Sequence, residues 1–169
     1  LDKEAAFNKD ILQLNIADNS GVLYTSDGKS IDISHLAWYE GSHGGQRFFA
    51  EPFLSPILHT FVGAVVVPVL DDNNNHVASL VALIPGNWLS DQIDDIVVGH
   101  TGYCYVLGVT GTIVAHKDSS LVEQSWNTVD KAKTDASMAS LAAFETMAVE
   151  IDDPSIDFYT YKGEAKIAS

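Results

Sequence analysis

Cysteine is nearly missing: Cys104 stands alone among 169 residues. It has no internal partner for a disulfide, and no cysteine set exists for a structural zinc site. Basic residues are scarce. Lys and Arg number 9 against 23 Asp and Glu, a formal charge of −14. So few cations cannot neutralise a phosphate backbone, which excludes a nucleic-acid binder, and an anionic bilayer surface would repel the chain. Long apolar runs are lacking as well. The longest, Phe61 to Leu70, carries Pro68 and falls far short of the ~20 residues a spanning helix needs. No signal-peptide pattern is seen.

Catalytic signatures are equally thin. There is no GxSxG elbow, phosphate-binding Walker loop, GxGxxG or HExxH. The histidines, at 35, 43, 59, 76, 100 and 116, form no i, i+4 pair. DDNNNH, Asp71 to His76, invites comparison with a calcium loop. It puts His76 where that loop needs Gly and Ala82 where it needs Glu, so a polar hairpin turn is expected. Cys104 with His100 or His116 would make a nucleophile and base, but its apolar strand context favours a buried, inert thiol. The expectation is a protein that is not an enzyme, with no cofactor and no metal.

What is present is a foldable chain. Apolar residues make up 46%, enough to bury a core. QLNIADNSGVLYTSDG reads as strand, turn and strand around Gly21, and GYCYVLGVTGTIVAHKD does the same around Gly111. Setting Gly21 on Gly111 aligns Ile16 with Val106 and Leu23 with Ile113. Asn, Asp and Gly supply the backbone angles such turns require. Between the hairpins come a short helix over Ile33 to Glu40 capped by Ser34, a glycine loop at 41–45, and apolar segments at Arg47 to Ala50, Phe61 to Leu70 and Val77 to Ile84. The last two form an antiparallel pair joined by the DDNNNH turn. Trp88 to Val98 has helical spacing. Residues 119–150 read mostly as helix, with Ser120 and Glu123 at capping-box spacing and Met138, Leu141, Phe144 and Ala148 along one face. Ile156 to Tyr161 and Glu164 to Ala168 flank a final turn. Hairpins joining strands, with helices interspersed, imply antiparallel sheets flanked by helices, an α+β fold, built as two copies of one module.

The order and residues of these segments resemble the double Cache family, tandem PAS-like extracellular sensor domains of bacterial chemoreceptors, sensor histidine kinases and diguanylate cyclases. LNIADNSGVLYTSDG is similar to the first hairpin of the membrane-distal module. AWYEGSHGGQRFFAEPFLSP resembles the family's Trp-Tyr helix, loop and "EPY"-like strand. VVVPVLDDNNNHVASLVALI resembles its central hairpin, and VVGHTGYCYVLGVTGTIVAHKDSSLV the opening of the membrane-proximal module. The resemblance implies a distal ligand-binding module over 1–98 and a proximal module over 99–169. It also implies that most of a long N-terminal helix and the last proximal strands are missing, so a fragment of a longer, membrane-anchored receptor is expected.

By the same resemblance the ligand pocket lies among Trp38, Tyr39, Arg47, Phe49, Phe53 and Ser55. Aromatic walls with a few orienting polar groups suit a small molecule. Arg47 suits a carboxylate, and an aromatic box suits an amine. Each residue also has a plain reading: the aromatics as core or sheet packing, Arg47 as a solvated strand residue. The amino-acid-binding subgroup carries an Arg two positions before the Trp and two acidic residues. Here those positions hold Leu36, Ser55 and Ala82 or Leu83, so an ordinary α-amino acid is not the expected ligand. The implied protein is the sensor of a methyl-accepting chemotaxis protein, outside the membrane, dimeric in the full receptor. The alternatives are the sensor of a histidine kinase or diguanylate cyclase, and a ligand-free interaction module.

Overall fold

The computed structural model describes residues 1–6, 8–36, 39, 46–151 and 156–169. The chain divides into two units, Leu1–Trp88 and Leu89–Ser169.

The first unit is one antiparallel sheet. After a short helix α1 (Asp2–Ala5) come strands β1 (Gln13–Asp18), β2 (Val22–Tyr24), β3 (Ser30–Asp32), β4 (Phe48–Leu54), β5 (Phe61–Leu70) and β6 (His76–Pro85). Their order in the sheet is β3-β2-β1-β6-β5-β4. β1 and β6 are thus central neighbours although the chain between them makes four other strands. Side chains alternate across a sheet, and the register fixes which ones share a face. Ala17 lies opposite Leu23 and Ser79, Asn15 opposite Val81, Gln13 opposite Leu83. Val81 lies opposite Val66, Leu83 opposite Ala64, and these opposite Phe48 and Ala50 on β4. This face carries the core: Ala17, Leu23, Val62, Ala64, Val66, Val81 and Leu83 are buried there together with Ile33 and Tyr39.

Two carboxylates shape the hairpin turns. Asp18 Oδ1 accepts from the Ser20 and Val22 amides and from the Ser20 hydroxyl, and Oδ2 accepts from the Tyr24 hydroxyl. The Ser20 hydroxyl and the Val22 amide lead in holding its carboxyl down at about 2. Asp71 accepts from the Asn73 and Asn75 amides, both at 2.8 Å, so DDNNNH uses its first acid as a turn brace.

The second unit contains α2 from Leu89 onward (α2 spans Trp88–Ile93), β7 (Val97–Val98), β8 (Gly102–Tyr103), β9 (Val106–Leu107), β10 (Ile113–Ala115), α3 (Ser119–Glu123), α4 (Thr128–Ala132), α5 (Ala139–Glu150), β11 (Asp157–Tyr161) and β12 (Glu164–Ala168). The strands pair as β7 with β8, β9 with β10 and β11 with β12. The repeated hairpin keeps one matching pair, Ala17 opposite Leu23 in the first copy and Leu107 opposite Ile113 in the second, after which the second copy shifts register and Val106 opposes Ala115 where Ile16 opposes Tyr24. Gly21 and Gly111 both have positive φ, 86° and 80°.

The α+β class is borne out. Several element boundaries differ from the sequence expectation. The helix expected over Trp88 to Val98 stops at Ile93, and Val97 and Val98 pair with β8 instead. The helical stretch at 119–150 is broken into α3, α4, a 3₁₀ turn and α5. Asp118, not Ser120, caps α3, accepting from the Ser120 amide. Short polar side chains at Asp118, Asn127 and Asp135 each start a new segment, because such residues compete with the helical backbone for its own donors. On α5, Ala142 and Glu145 are buried and Ala148 is exposed. The helix expected over Ile33 to Glu40 does not begin at Ser34: residues 33–36 form a turn, in which the Ser34 amide and hydroxyl donate to Asp32 Oδ1, while Tyr39 is helical and residues 37, 38 and 40 lie outside those described.

Candidate functional site

The core face of the first sheet gathers the expected site residues selectively. Tyr39 is buried, 4% exposed, and its hydroxyl donates to the Asp18 carbonyl at 2.8 Å. Burial is the main cause raising its phenol above the usual range. The ring thereby ties the segment after β3 to the turn between β1 and β2. Phe53 packs against the same cluster. It reaches that face because β4 contains a register shift between Ala50 and Phe53. A bulge inserts an extra residue and swaps the faces of the residues after it.

Ordinary strand alternation separates the two phenylalanines before the bulge. Phe48 packs on the core cluster, while Phe49, opposite Val65, is 39% exposed on the other face. The Phe49 ring lies over Gly63 on that outer face. Arg47 is exposed just ahead of β4. Ser55 is buried, and its Oγ accepts from the Ile57 and Leu58 amides at 3.2 and 3.1 Å. It braces the tight link between β4 and β5, in which the Ser55 amide donates to the Thr60 carbonyl. Trp38 lies outside the described residues. The structure therefore brings together Tyr39 and Phe53, adds Phe48, and leaves Phe49 on the opposite side of the sheet.

Two polar residues on this face were missed in the sequence. Asn15 is fully buried, 0% exposed, and among the described residues both ends of its amide lack a partner; the buried Oε1 of Gln13 lacks one too. The available signal was parity. Gln13, Asn15 and Ala17 alternate on the core face of β1, so two amides occupy positions where the strand pattern calls for apolar residues.

Tyr39→Phe should lower the melting temperature by about 2–4 °C. It deletes one buried hydrogen bond, worth about 1 kcal/mol. Calorimetry of the purified domain would check it; an unchanged value would show that the ring, not the hydroxyl, anchors the segment.

No family model matches the chain, and no curated protein matches it. Solved structures do. The ligand-binding domain of the Campylobacter jejuni chemoreceptor Tlp3, in complex with 4-methylisoleucine, matches 93% of this chain at 16% identity with a TM-score of 0.60. That of the Pseudomonas fluorescens chemoreceptor CtaA, in complex with L-alanine, matches 98% at 14% identity and 0.63. That of the Pseudomonas aeruginosa amino acid chemoreceptor PctC, in complex with GABA, matches 96% at 16% identity and 0.62. The fold is that of chemoreceptor ligand-binding domains. The chain spans 59%, 66% and 67% of these three structures. The bound ligands are amino acids or GABA, so the likeness gives no support to the expectation against an α-amino acid.

The second unit of this chemoreceptor-like fold has its own polar centre. Glu145 on α5 is 1% exposed, and its Oε1 accepts from the Tyr105 hydroxyl at 3.1 Å. Burial raises its carboxyl above the ordinary glutamate value, opposed by the nearby Thr128 and Tyr105 hydroxyls, and its Oε2 has no hydrogen-bond partner among the described residues. His116 stacks edge-on to Tyr103 and Tyr105. Its Nδ1 accepts from the Asp118 amide at 2.8 Å, and burial is the main cause lowering its pKa, so the ring is neutral. Cavities of about 400 and 470 Å³ flank α5. Among the described residues no group of three His, Cys, Asp or Glu side chains is arranged to hold a metal ion, and no helix is long and apolar enough to cross a membrane.

Proposed function

We propose that this chain is the extracellular ligand-sensing part of a bacterial transmembrane receptor, foremost a methyl-accepting chemotaxis protein. The observation that carries the reading is the chemoreceptor-domain fold over 93–98% of the chain. The ligand is a small molecule held by the first unit, on the face bearing Tyr39 and Phe53, with Trp38, Arg47 and Ser55 as further candidates from the resemblance and Phe49 the least favoured. The Ser55 oxygen already serves two loop amides, so its role there is to fix the loop.

The chemistry is recognition. A ligand stabilises whichever geometry of the first unit it binds better, and the population moves accordingly. The second unit then passes the difference toward the membrane, in a receptor that works as a dimer. The fold serves a histidine kinase or diguanylate cyclase sensor equally well, since the output lies elsewhere in such proteins.

A thermal-shift screen tests the reading, with L-alanine, L-isoleucine and GABA first and organic acids, amines, sugars and purines after. A ligand at a hundredfold its Kd adds about 2.7 kcal/mol of stability. The expected result is a hit whose shift is lost in Tyr39→Ala but kept in Phe49→Ala. No hit across the panel would favour a ligand-free interaction module.

A further inference from the structure

The amides of Asn15 and Gln13 are the least accounted-for groups in the first unit. Asn15 is wholly buried in the middle of β1, between β2 and β6. Its neighbour across the strand pair is Val81, and beyond that Val66 and Phe48. Among the described residues its side-chain nitrogen and oxygen both lack a partner, and so does the Gln13 oxygen. Buried polar groups in native proteins are almost always paired, and leaving them unpaired costs far more than a hydrogen bond returns. A β-branched residue would suit this strand position better. The sequence therefore keeps amides where folding alone disfavours them.

We infer that Asn15 and Gln13 are ligand-recognition residues, and that the ligand presents a primary carboxamide. This rests on the reading of the first unit as a small-molecule site. The unpaired atoms state the required complement. The Asn15 nitrogen needs an acceptor, and the Asn15 and Gln13 oxygens each need a donor. A primary carboxamide offers one carbonyl and two N–H groups on one small head. Its carbonyl and one N–H pair with Asn15 in a two-bond ring, and its other N–H reaches Gln13, which lies two residues along the same face of β1. A carboxylate supplies no donor, so it leaves both oxygens unpaired and faces them with like partial charge. An aromatic ring carrying the amide matches the neighbouring Tyr39, Phe48 and Phe53.

The test uses nicotinamide and benzamide as probes, nicotinate and benzoate as their donor-free counterparts, and L-alanine and GABA as amine-bearing ligands of the similar domains. Binding is read by calorimetry on the whole chain, wild type and Asn15→Val, with Asn15→Ala as a second variant should valine overfill the site. The expected result has two parts. Carboxamides bind wild type and the matching carboxylates do not, and either variant weakens carboxamide binding about tenfold or more, the value of one lost hydrogen bond. Without ligand, Asn15→Val melts about 2–4 °C above wild type, because an unpaired buried amide is gone. Carboxamide binding that survives both variants overturns the inference. So does a lower melting temperature for both unliganded variants, which would mean that the fold itself uses the amide. Binding of L-alanine or GABA without any carboxamide overturns it while leaving the sensor reading intact; binding of no probe overturns it and counts against that reading as well.

Discussion

Gly21→Ala costs about 3 kcal/mol and lowers the melting temperature by about 10 °C. Two independent effects add. Gly21 sits at φ 86°, a left-handed conformation that costs a residue with a β-carbon roughly 1–2 kcal/mol. That carbon would also lie 2.6 Å from Ser34 Cβ and 2.9 Å from Ser34 Cα. The second contact is backbone, so no rotamer change relieves it. Relief requires pulling the β3 exit away, which strains the bond from the Ile33 amide to the Gly21 carbonyl, 2.8 Å long. Gly28→Ala is the control. Its φ is 85° but no atom of the described residues lies within 4 Å of an added carbon, so it bears the backbone cost alone, roughly 1–2 kcal/mol. Thermal or urea unfolding of the two variants measures the difference. Equal losses would show that the close approach of Ser34 contributes nothing.

Removing Glu145 should be the other large effect, and the part due to its charge depends on pH. Glu145→Ala opens a cavity beside α5 and strips the Tyr105 hydroxyl of its acceptor, a loss of about 3 kcal/mol. Glu145→Gln keeps the volume and an acceptor, so it isolates the charge. Burial raises the folded-state carboxyl above the ordinary value of 4.5. The folded chain therefore holds the proton more tightly than the unfolded one. Stability from this group is complete below the ordinary value and is lost as pH rises through the raised one. The exposed acids act oppositely. Asp18, held down at about 2, contributes above the ordinary aspartate range and loses that contribution as pH falls toward 2. Comparing Glu145→Gln with wild type cancels those shared terms. The amide variant should match wild type at pH 4 and melt higher at pH 8. Parallel melting curves from pH 4 to 8 would show that Glu145 keeps its charge at no cost.

The different space at the two turn glycines bears on what repetition means here. Gly21 and Gly111 share a turn position and a positive φ, yet among the described residues an added carbon at Gly111 would meet only the Asn127 amide nitrogen at 3.6 Å, an ordinary contact. The hairpin was copied, but its surroundings were not. In the first unit β1 pairs with β6 and the sheet grows to six strands, whereas in the second β9 pairs with β10 in a two-stranded piece.

By itself the sequence determined the local pieces. Alternating apolar residues with Asp, Asn and Gly at the turns specify the hairpins around Gly21, Gly111 and DDNNNH, because those preferences act over a few residues. They also specify the α+β class. Only the tertiary structure decided which residues share a face. The bulge in β4 puts Phe53 on the core face and leaves Phe49 outside, and such a bulge depends on the partner strand as much as on its own residues. Pairing β1 with β6, far apart in the chain, made Asn15 the buried centre of a sheet. The packing of α5 against its neighbours buried Glu145, a residue type that composition assigns to the surface. Long-range pairing created these polar centres, and no local pattern records it.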